Sequence, residues 1–426
     1  MTAFTYEQLV PRRGGFSRRR FLHQVSAASL AAGTLGFRDV IGLGAEELRR
    51  QGRSVILLWM QGGPSQLETF DPRPGTENGG ETEAIETAVP GIQIASGWET
   101  TAAAMQDIAL IRSMTNREGN HQRATWQMHT GYIPSGSVKH PSLAACLAKE
   151  TADPDRSLPA VVSVGPSQGA GFLGVDYDPF VVSNPGSLPR NVGSPVQEKR
   201  LDRRLGLLDQ LEGEFAARGG STVVGNHRQI YGKAARLVTS EETQAFDFAS
   251  ESPQLIARYG ATQFGRGCLL ARRLVEAGVT FVEVVSGGWD THADNFDRTK
   301  TLAGQVDPGM GTLIADLRER GLLDSTLVLW MGEFGRTPRI NPRGGRDHYP
   351  RVFNAAVAGC GVKGGQVIGR ASADGMQVED NPVSVADLFC SICEAMQVDP
   401  RKENISPLGR PMKIVDGGTT IKGLFG

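Results

Sequence analysis

The 426-residue chain has little cysteine, only 7% aromatic residues and almost no net charge. Its five cysteines are an odd number in a large chain, which excludes a disulfide framework as the source of stability. Cys390 and Cys393 have C-x-x-C spacing, but they sit in "VSVADLFCSICEAM", an amphipathic helical pattern. Small buried hydrophobes are the better reading of them than a redox or zinc pair. Lys plus Arg number 45 against 46 Asp plus Glu, for a net charge of -1, so the basic surplus of a nucleic-acid binder is missing. No apolar run reaches the ~20 residues that span a bilayer, and there is no internal repeat or low-complexity tract. "GGPS" at 62–65 lacks the lysine of a phosphate-cradling loop, and Ser65 lacks the G-x-S-x-G frame of a hydrolase nucleophile. Ser65 therefore reads most economically as an N-cap for a following helix.

What is present is an ordinary globular composition, 39% hydrophobic and 21% charged, with 54 glycines that point to many tight loops. Near the N-terminus, "SRRRFLHQVSAASLAAGTLGF" runs from Ser17-Arg18-Arg19 through Phe21-Leu22 into a mildly apolar stretch. That order is the order of a twin-arginine export signal, against the plainer alternative of a basic amphipathic surface helix. It implies a protein exported already folded to the periplasm or beyond by the twin-arginine translocation machinery. The missing A-x-A cleavage site leaves retention as an anchor open.

"SVILLWM" at 54–60 reads as a buried parallel strand, and "LPAVVSVGP", "VTFVEVVS" and "STLVLWM" repeat the pattern between helical segments. Strands alternating with helices predict a mostly parallel sheet covered on both faces. The expected organisation is a signal region over 1–45 and one α/β domain over 50–426. A helical insertion is expected at about 196–276, and a helix over about 303–321.

Four strand-end loops carry reactive groups. "QGGPSQLETFDP" offers Ser65, Glu68 and Asp71, and "NREGNHQRATWQMHTG" offers Asn120, His121, Arg123 and His129. "GGWDTHADNF" offers Asp290, His292, Asp294 and Asn295, and "GEFGRTPRINPRGGRDHYP" offers Glu333, Arg336, Arg346, Asp347 and His348. In a parallel sheet such loops leave on one edge, so residues remote in sequence converge there. Imidazole nitrogen and carboxylate oxygen suit zinc and other first-row divalent ions. Arg123, Arg336 and Arg346 could grip an anion with planar forks, or simply pair with nearby carboxylates.

On these residues the sequence resembles the bacterial family catalogued as "domain of unknown function 1501". The carriers include "GGPSQLETFDP", "HPSL", "GFLG", "YGATQFGRGCLLARRLVEAGVTFVEV", "GGWDTH", "GLLDSTLVLWMGEFGRTPRIN", "GRDHYP" and "AGCGVKGGQVIG". That family resembles a branch of the alkaline phosphatase and sulfatase superfamily, which implies a three-layer α/β/α sandwich with metal at the carboxyl edge of the sheet. By that resemblance His121 stands where the superfamily has its nucleophile. Asp290, His292 and His348 correspond to an altered first metal site. Glu333 and Phe334 replace the Asp-His of the second metal, and Gln61 replaces an Asp, for which Glu68 or Asp71 could substitute. The resemblance implies an exported metal-dependent hydrolase of a phosphate or sulfate ester or related anionic substrate. The alternative is a non-catalytic protein recognising an anionic glycan or surface partner.

The expected site follows from both lines. Asp290, His292 and His348 would bind one divalent ion, zinc, manganese or calcium, with Asp347 or Glu333 completing or orienting the shell. His121, Arg123 and Glu333 would serve the chemistry, His121 as a further ligand, general base or nucleophile. Arg336, Arg346, Asn120 and Ser65 would bind the substrate.

Overall fold

The computed structural model describes residues 52–189 and 198–426. The export-signal reading of residues 1–45 lies outside these. The nine strands of the central sheet are β1 (Ser54–Met60), β2 (Ile108–Thr115), β3 (Val161–Val164), β4 (Phe180–Val182), β5 (Phe281–Ser286), β6 (Thr326–Met331), β7 (Phe353–Ala358), β8 (Gln366–Ile368) and β9 (Val383–Ser384). Their order is β8-β2-β7-β6-β1-β5-β3-β4, with β9 also paired to β2. Every pairing is parallel except those of β7, which runs against both β2 and β6.

β1 lies at the middle and is buried along its whole length, as its unbroken apolar run requires when both faces are covered. Its alternate side chains feed two separate cores. Ile56, Leu58 and Met60 pack on one face with α5 (Gln263–Glu276) and α6 (Asn295–Glu319). Val55, Leu57 and Trp59 pack on the other with Met128 of α1 (His121–Thr130), α2 (Leu143–Thr151) and α7 (Val385–Ala395). The fold is thus a three-layer α/β/α sandwich around a mixed, mostly parallel sheet.

Two expectations need adjustment. The helix expected at about 303–321 begins at Asn295, directly after the "GGWDTHAD" loop, and its 25 residues accommodate Pro308. The helices of 196–276 divide into two kinds. α3 (Glu198–Phe215) and α4 (Ser221–Thr239) form a hairpin with much exposed apolar surface, including Leu207, Leu211, Phe215, Val223 and Ile230. α5, expected in the insertion, instead lies on the sheet with Cys268, Leu269, Leu270 and Leu274 fully buried. The five cysteines are buried and unpaired, as small hydrophobes are. Among the described residues no helix is long and apolar enough to cross a membrane.

Because β1 feeds both layers, Leu58→Ala leaves a cavity that the surrounding strands cannot close. The expected loss is about 2–5 kcal/mol, read as a lower denaturation midpoint with unchanged m-value.

Candidate metal centre at the sheet rim

β1, β2, β5 and β6 all run the same way, so the loops after them leave on one rim. His348 reaches that rim by another route. It precedes β7, and an antiparallel strand starts where its parallel neighbours end.

Each loop is held by identifiable forces. His121 is the first residue of α1, whose N-cap is Asn120; the Asn120 side chain accepts from the Arg123 amide at 3.2 Å. The helix stops at Gly131, whose φ of 75° is the left-handed conformation that glycine adopts without strain. The loop carrying Asp290 is anchored by Trp289, which is fully buried and stacks on Trp98, itself packed against Phe70 and Trp330, with its indole N–H on Ser286 Oγ at 3.2 Å. The loop after β1 passes so close that a Cβ on Gly62 would lie 2.4 Å from the Asp290 nitrogen, and Gly62 has a φ of +118°. Only glycine fits there.

The result is a cluster with one unifying feature. Asp290 Oδ1 lies 3.1 Å from His292 Nε2, 3.3 Å from His348 Nε2 and 3.4 Å from His121 Nε2. His292 Nε2 and His348 Nε2 are 3.0 Å apart. The other nitrogen of each ring faces an acceptor. His348 Nδ1 meets the Gly119 carbonyl at 2.8 Å, His292 Nδ1 meets Asp347 Oδ1 at 2.8 Å, and His121 Nδ1 meets Glu333 Oε1 at 2.7 Å. A carbonyl or carboxylate can only accept, so each Nδ1 donates, and a neutral ring then carries its lone pair on Nε2. Three lone pairs and a carboxylate oxygen therefore point at one another. His121 Nε2 is buried with no hydrogen-bond partner.

Metal-ligating histidines commonly show this pattern, the outer nitrogen tied to a carboxylate or carbonyl that fixes the tautomer. The spacing also fits: ligands at about 2.0 Å around a tetrahedral ion stand about 3.3 Å apart. The donor set His121, Asp290 and His348 has all its ligand atoms within 4.8 Å of one another, and His292 Nε2 adjoins two of them. Phe334, which the resemblance places at a lost ligand position, is fully buried and packs against His121 and His348 at ring separations of 4.9 and 4.7 Å.

Protonation follows from these contacts. The Glu333 hydrogen bond raises His121 above its ordinary value, whereas burial lowers His348. Burial also works against the charged form of Asp290. The hydrogen bond and charge of Arg336, helped by His121 and His292, nevertheless hold that carboxyl at about 2.

The arginines depart from their expected place facing substrate. Arg336 is wholly buried. It donates to the carbonyls of Gly62, Gly63 (2.9 Å) and Arg346 (3.1 Å) and to Asp290 Oδ1 (2.5 Å), so its fork braces the rim. Arg346, equally buried, makes a two-pronged pair with Glu68 at 2.7 and 3.0 Å and donates to the Thr337, Pro338 and Asn78 carbonyls. Glu68 is thereby engaged, and Asp71 pairs with Arg73 and Arg112, so neither reaches the cluster. Arg123 turns to Glu118 at 2.7 Å on the surface. Ser65 is fully buried, and its hydroxyl receives the Leu67 amide at 3.3 Å within a turn, with no helix following to be capped. The structure thus gathers His121, Asp290, His292, Glu333, Arg336, Asp347 and His348. Arg123, Arg346, Asn120 and Ser65 have structural partners elsewhere.

A depressed carboxyl contributes stability that is fully present above its unfolded value of 3.8 and is lost as pH falls toward about 2. In metal-free protein the Asp290 side-chain carbon, followed by NMR, should titrate near 2. Arg336→Lys, which loses the fork, should move that midpoint upward toward the ordinary range.

The family model described as "Protein of unknown function (DUF1501)" matches residues 52–425. No curated protein matches the chain. Among solved structures, the chain is similar to the PsFucS1 sulfatase from Pseudoalteromonas sp., with TM-score 0.40 and 12% identity over 88% of this chain and 71% of that one. It is similar also to the lipoteichoic acid synthase LtaP from Listeria monocytogenes, with TM-score 0.41 and 10% identity over 88% and 76%. A third is the phosphonate monoester hydrolase of Agrobacterium radiobacter, with TM-score 0.38 and 12% identity over 87% and 77%. With its family match running through the whole sandwich, the chain belongs to the DUF1501 family.

Proposed function

We propose that the rim cluster binds one divalent metal ion through Asp290, His292, His348 and His121. On this reading the protein is a metal-dependent hydrolase of a phosphate or sulfate ester or a related anionic substrate. The observation that carries the metal is the convergence of three Nε2 lone pairs on one carboxylate, with each outer nitrogen already tied to an acceptor. The substrate class rests on the motif resemblance to the phosphatase and sulfatase superfamily. Export to the periplasm through a twin-arginine signal belongs to the same reading.

A divalent ion held by Asp290, His292, His348 and His121 would supply Lewis acidity toward an ester oxygen. The protein's own part is positional. Asp347 and Glu333 hold His292 and His121 in the tautomer that presents Nε2, the Gly119 carbonyl does the same for His348, and Arg336 steadies Asp290. Where the ion rests on Asp290, His292 and His348 alone, the Nε2 lone pair of His121, half-buried at a helix start with its outer proton held by Glu333, stays free to accept a proton from a nucleophile. A second reading, binding without turnover, draws support from Arg336 and Arg346: their forks are committed to internal acceptors, which leaves an anion to be held by the ion itself.

Calorimetric titration with Zn2+ and with Mn2+ should show one site per chain, weakening as pH falls and the imidazoles take up protons. His292→Ala and His348→Ala should weaken binding beyond the roughly 10–100-fold that loss of an outer partner produces, and Asp347→Asn should fall within that range. Equal and negligible metal uptake by wild type and variants would refute the site. A panel of phosphate and sulfate esters then separates the two readings. Turnover lost in His121→Ala supports hydrolysis, and saturable anion binding without turnover supports recognition alone.

A further inference from the structure

Glu283 is a carboxylate in the middle of β5, one of the most enclosed strands of the sheet, with 1% of its surface exposed. On one side its neighbours on that face, Phe281 and the β1 residues Val55 and Leu57, are apolar; on the other its register partner is Ser163 of β3, whose hydroxyl donates to the Gly165 carbonyl. A charge there requires partners, and it has two. His129 Nε2 lies 3.1 Å from Oε1, and the Ser167 hydroxyl, on the loop after β3, donates to Oε2. His129 is itself 7% exposed, lies edge-on to Trp59 at a ring separation of 4.4 Å, and donates through Nδ1 to the Thr125 carbonyl at 2.8 Å. With Nδ1 donating, the contact between Nε2 and the carboxylate holds one further proton, so the pair is an imidazolium and a carboxylate sealed in the core. Burial opposes the imidazolium, but the charge and hydrogen bond of Glu283 outweigh it and raise His129 above its ordinary value.

Such a pair is an inefficient way to stabilise a core, since apolar residues of similar volume commonly do as well or better. What it supplies is registry. His129 sits on α1, whose first residue is His121; Glu283 sits on β5, whose strand leads through Ser286 and the anchored Trp289 to Asp290. Eight residues of continuous helix, about 12 Å, separate His129 from His121. A slip of one turn would carry His121 about 5 Å from Asp290.

We infer that His129 and Glu283, braced by Ser167, form a positioning pair that locks α1 against β5 and so sets His121 opposite Asp290. The inference rests on the proposed metal site for its consequence, but the lock itself is a statement about α1 and β5. Glu283→Gln keeps the volume and discharges the pair, and Ser167→Ala removes only the brace. The control is Asp316→Asn in α6, which weakens another buried ion-pair network, that of Arg272, Arg320 and Tyr259, near the far end of that helix from Asn295.

In the metal-free full chain, the Nδ1–H signal of His121 in 15N NMR should shift or broaden in Glu283→Gln, do so less in Ser167→Ala, and stay in place in Asp316→Asn at matched thermal destabilisation. With Co2+ as probe, Glu283→Gln should bind about tenfold or more weakly, with a visible spectrum displaced toward that of His121→Ala, while Asp316→Asn keeps the wild-type spectrum. A folded Glu283→Gln protein with wild-type His121 resonance and cobalt spectrum would overturn the inference. So would an equal disturbance in Asp316→Asn. If Glu283→Gln does not fold, Ser167→Ala decides by the same two readouts. Wild-type protein that takes up no cobalt refutes the metal reading instead, and the His121 signal still judges the lock.

Discussion

Three imidazole nitrogens, all electron-rich, converge to within 3.1–3.4 Å of one carboxylate oxygen at the rim of a sheet. Much of what is unusual in this structure is tied to that constraint. Neutral rings cannot satisfy it, because His292 and His348 direct their outer protons to Asp347 and the Gly119 carbonyl and so face each other with lone pairs at 3.0 Å. Added protons would relieve part of the conflict, but burial depresses His348, one of the two rings that would have to take them. A cation among the four atoms relieves all of it at once.

The fold supplies the rigidity this requires from elements that have little chemistry of their own. Trp289 converts a loop rich in turn formers into one pinned by an aromatic cluster. Gly62 lets the loop after β1 pass against the backbone of Asp290, and Arg336 ties both loops together through carbonyl oxygens while charging against Asp290. The reversed direction of β7 delivers His348 to a rim otherwise served by parallel strands. Each of these acts on position, and together they fix a geometry in which a displacement of an ångström would matter.

Much of this was legible in the sequence. The apolar runs at 54–60, 279–286 and 325–331 announced buried strands, and the loops after them held the residues that the structure gathers, because a parallel sheet leaves little choice about where such loops emerge. The roles of the arginines were hidden. A guanidinium gripping an anion and one bracing backbone carbonyls have the same one-letter code, and only burial separates Arg336 and Arg346 from an exposed Arg123. Ser65 misled for a similar reason, since a serine after Gly-Gly-Pro can cap a helix or a turn. Glu283 left one signal that could have been read: an acid inside "FVEVVS", a run otherwise fit for full burial, must have a cationic or donating partner somewhere in the chain.

The internal commitment of those arginines bears on how any anion could approach. Around the cluster stand the carboxylates of Asp290, Glu333 and Asp347; the fork of Arg336 is already committed to Asp290 and backbone carbonyls, and the charge of Arg343 acts on Asp347. Without a cation, these carboxylates oppose the approach of a phosphate or sulfate group. A divalent ion in the proposed site would supply positive charge where the imidazoles converge. In the proposed site, metal and anionic ligand would therefore be linked in order as well as in space, the first making the second electrostatically admissible. On the proposed reading, arginines that hold loops in place would leave the attraction of an anionic substrate to the ion those loops would surround.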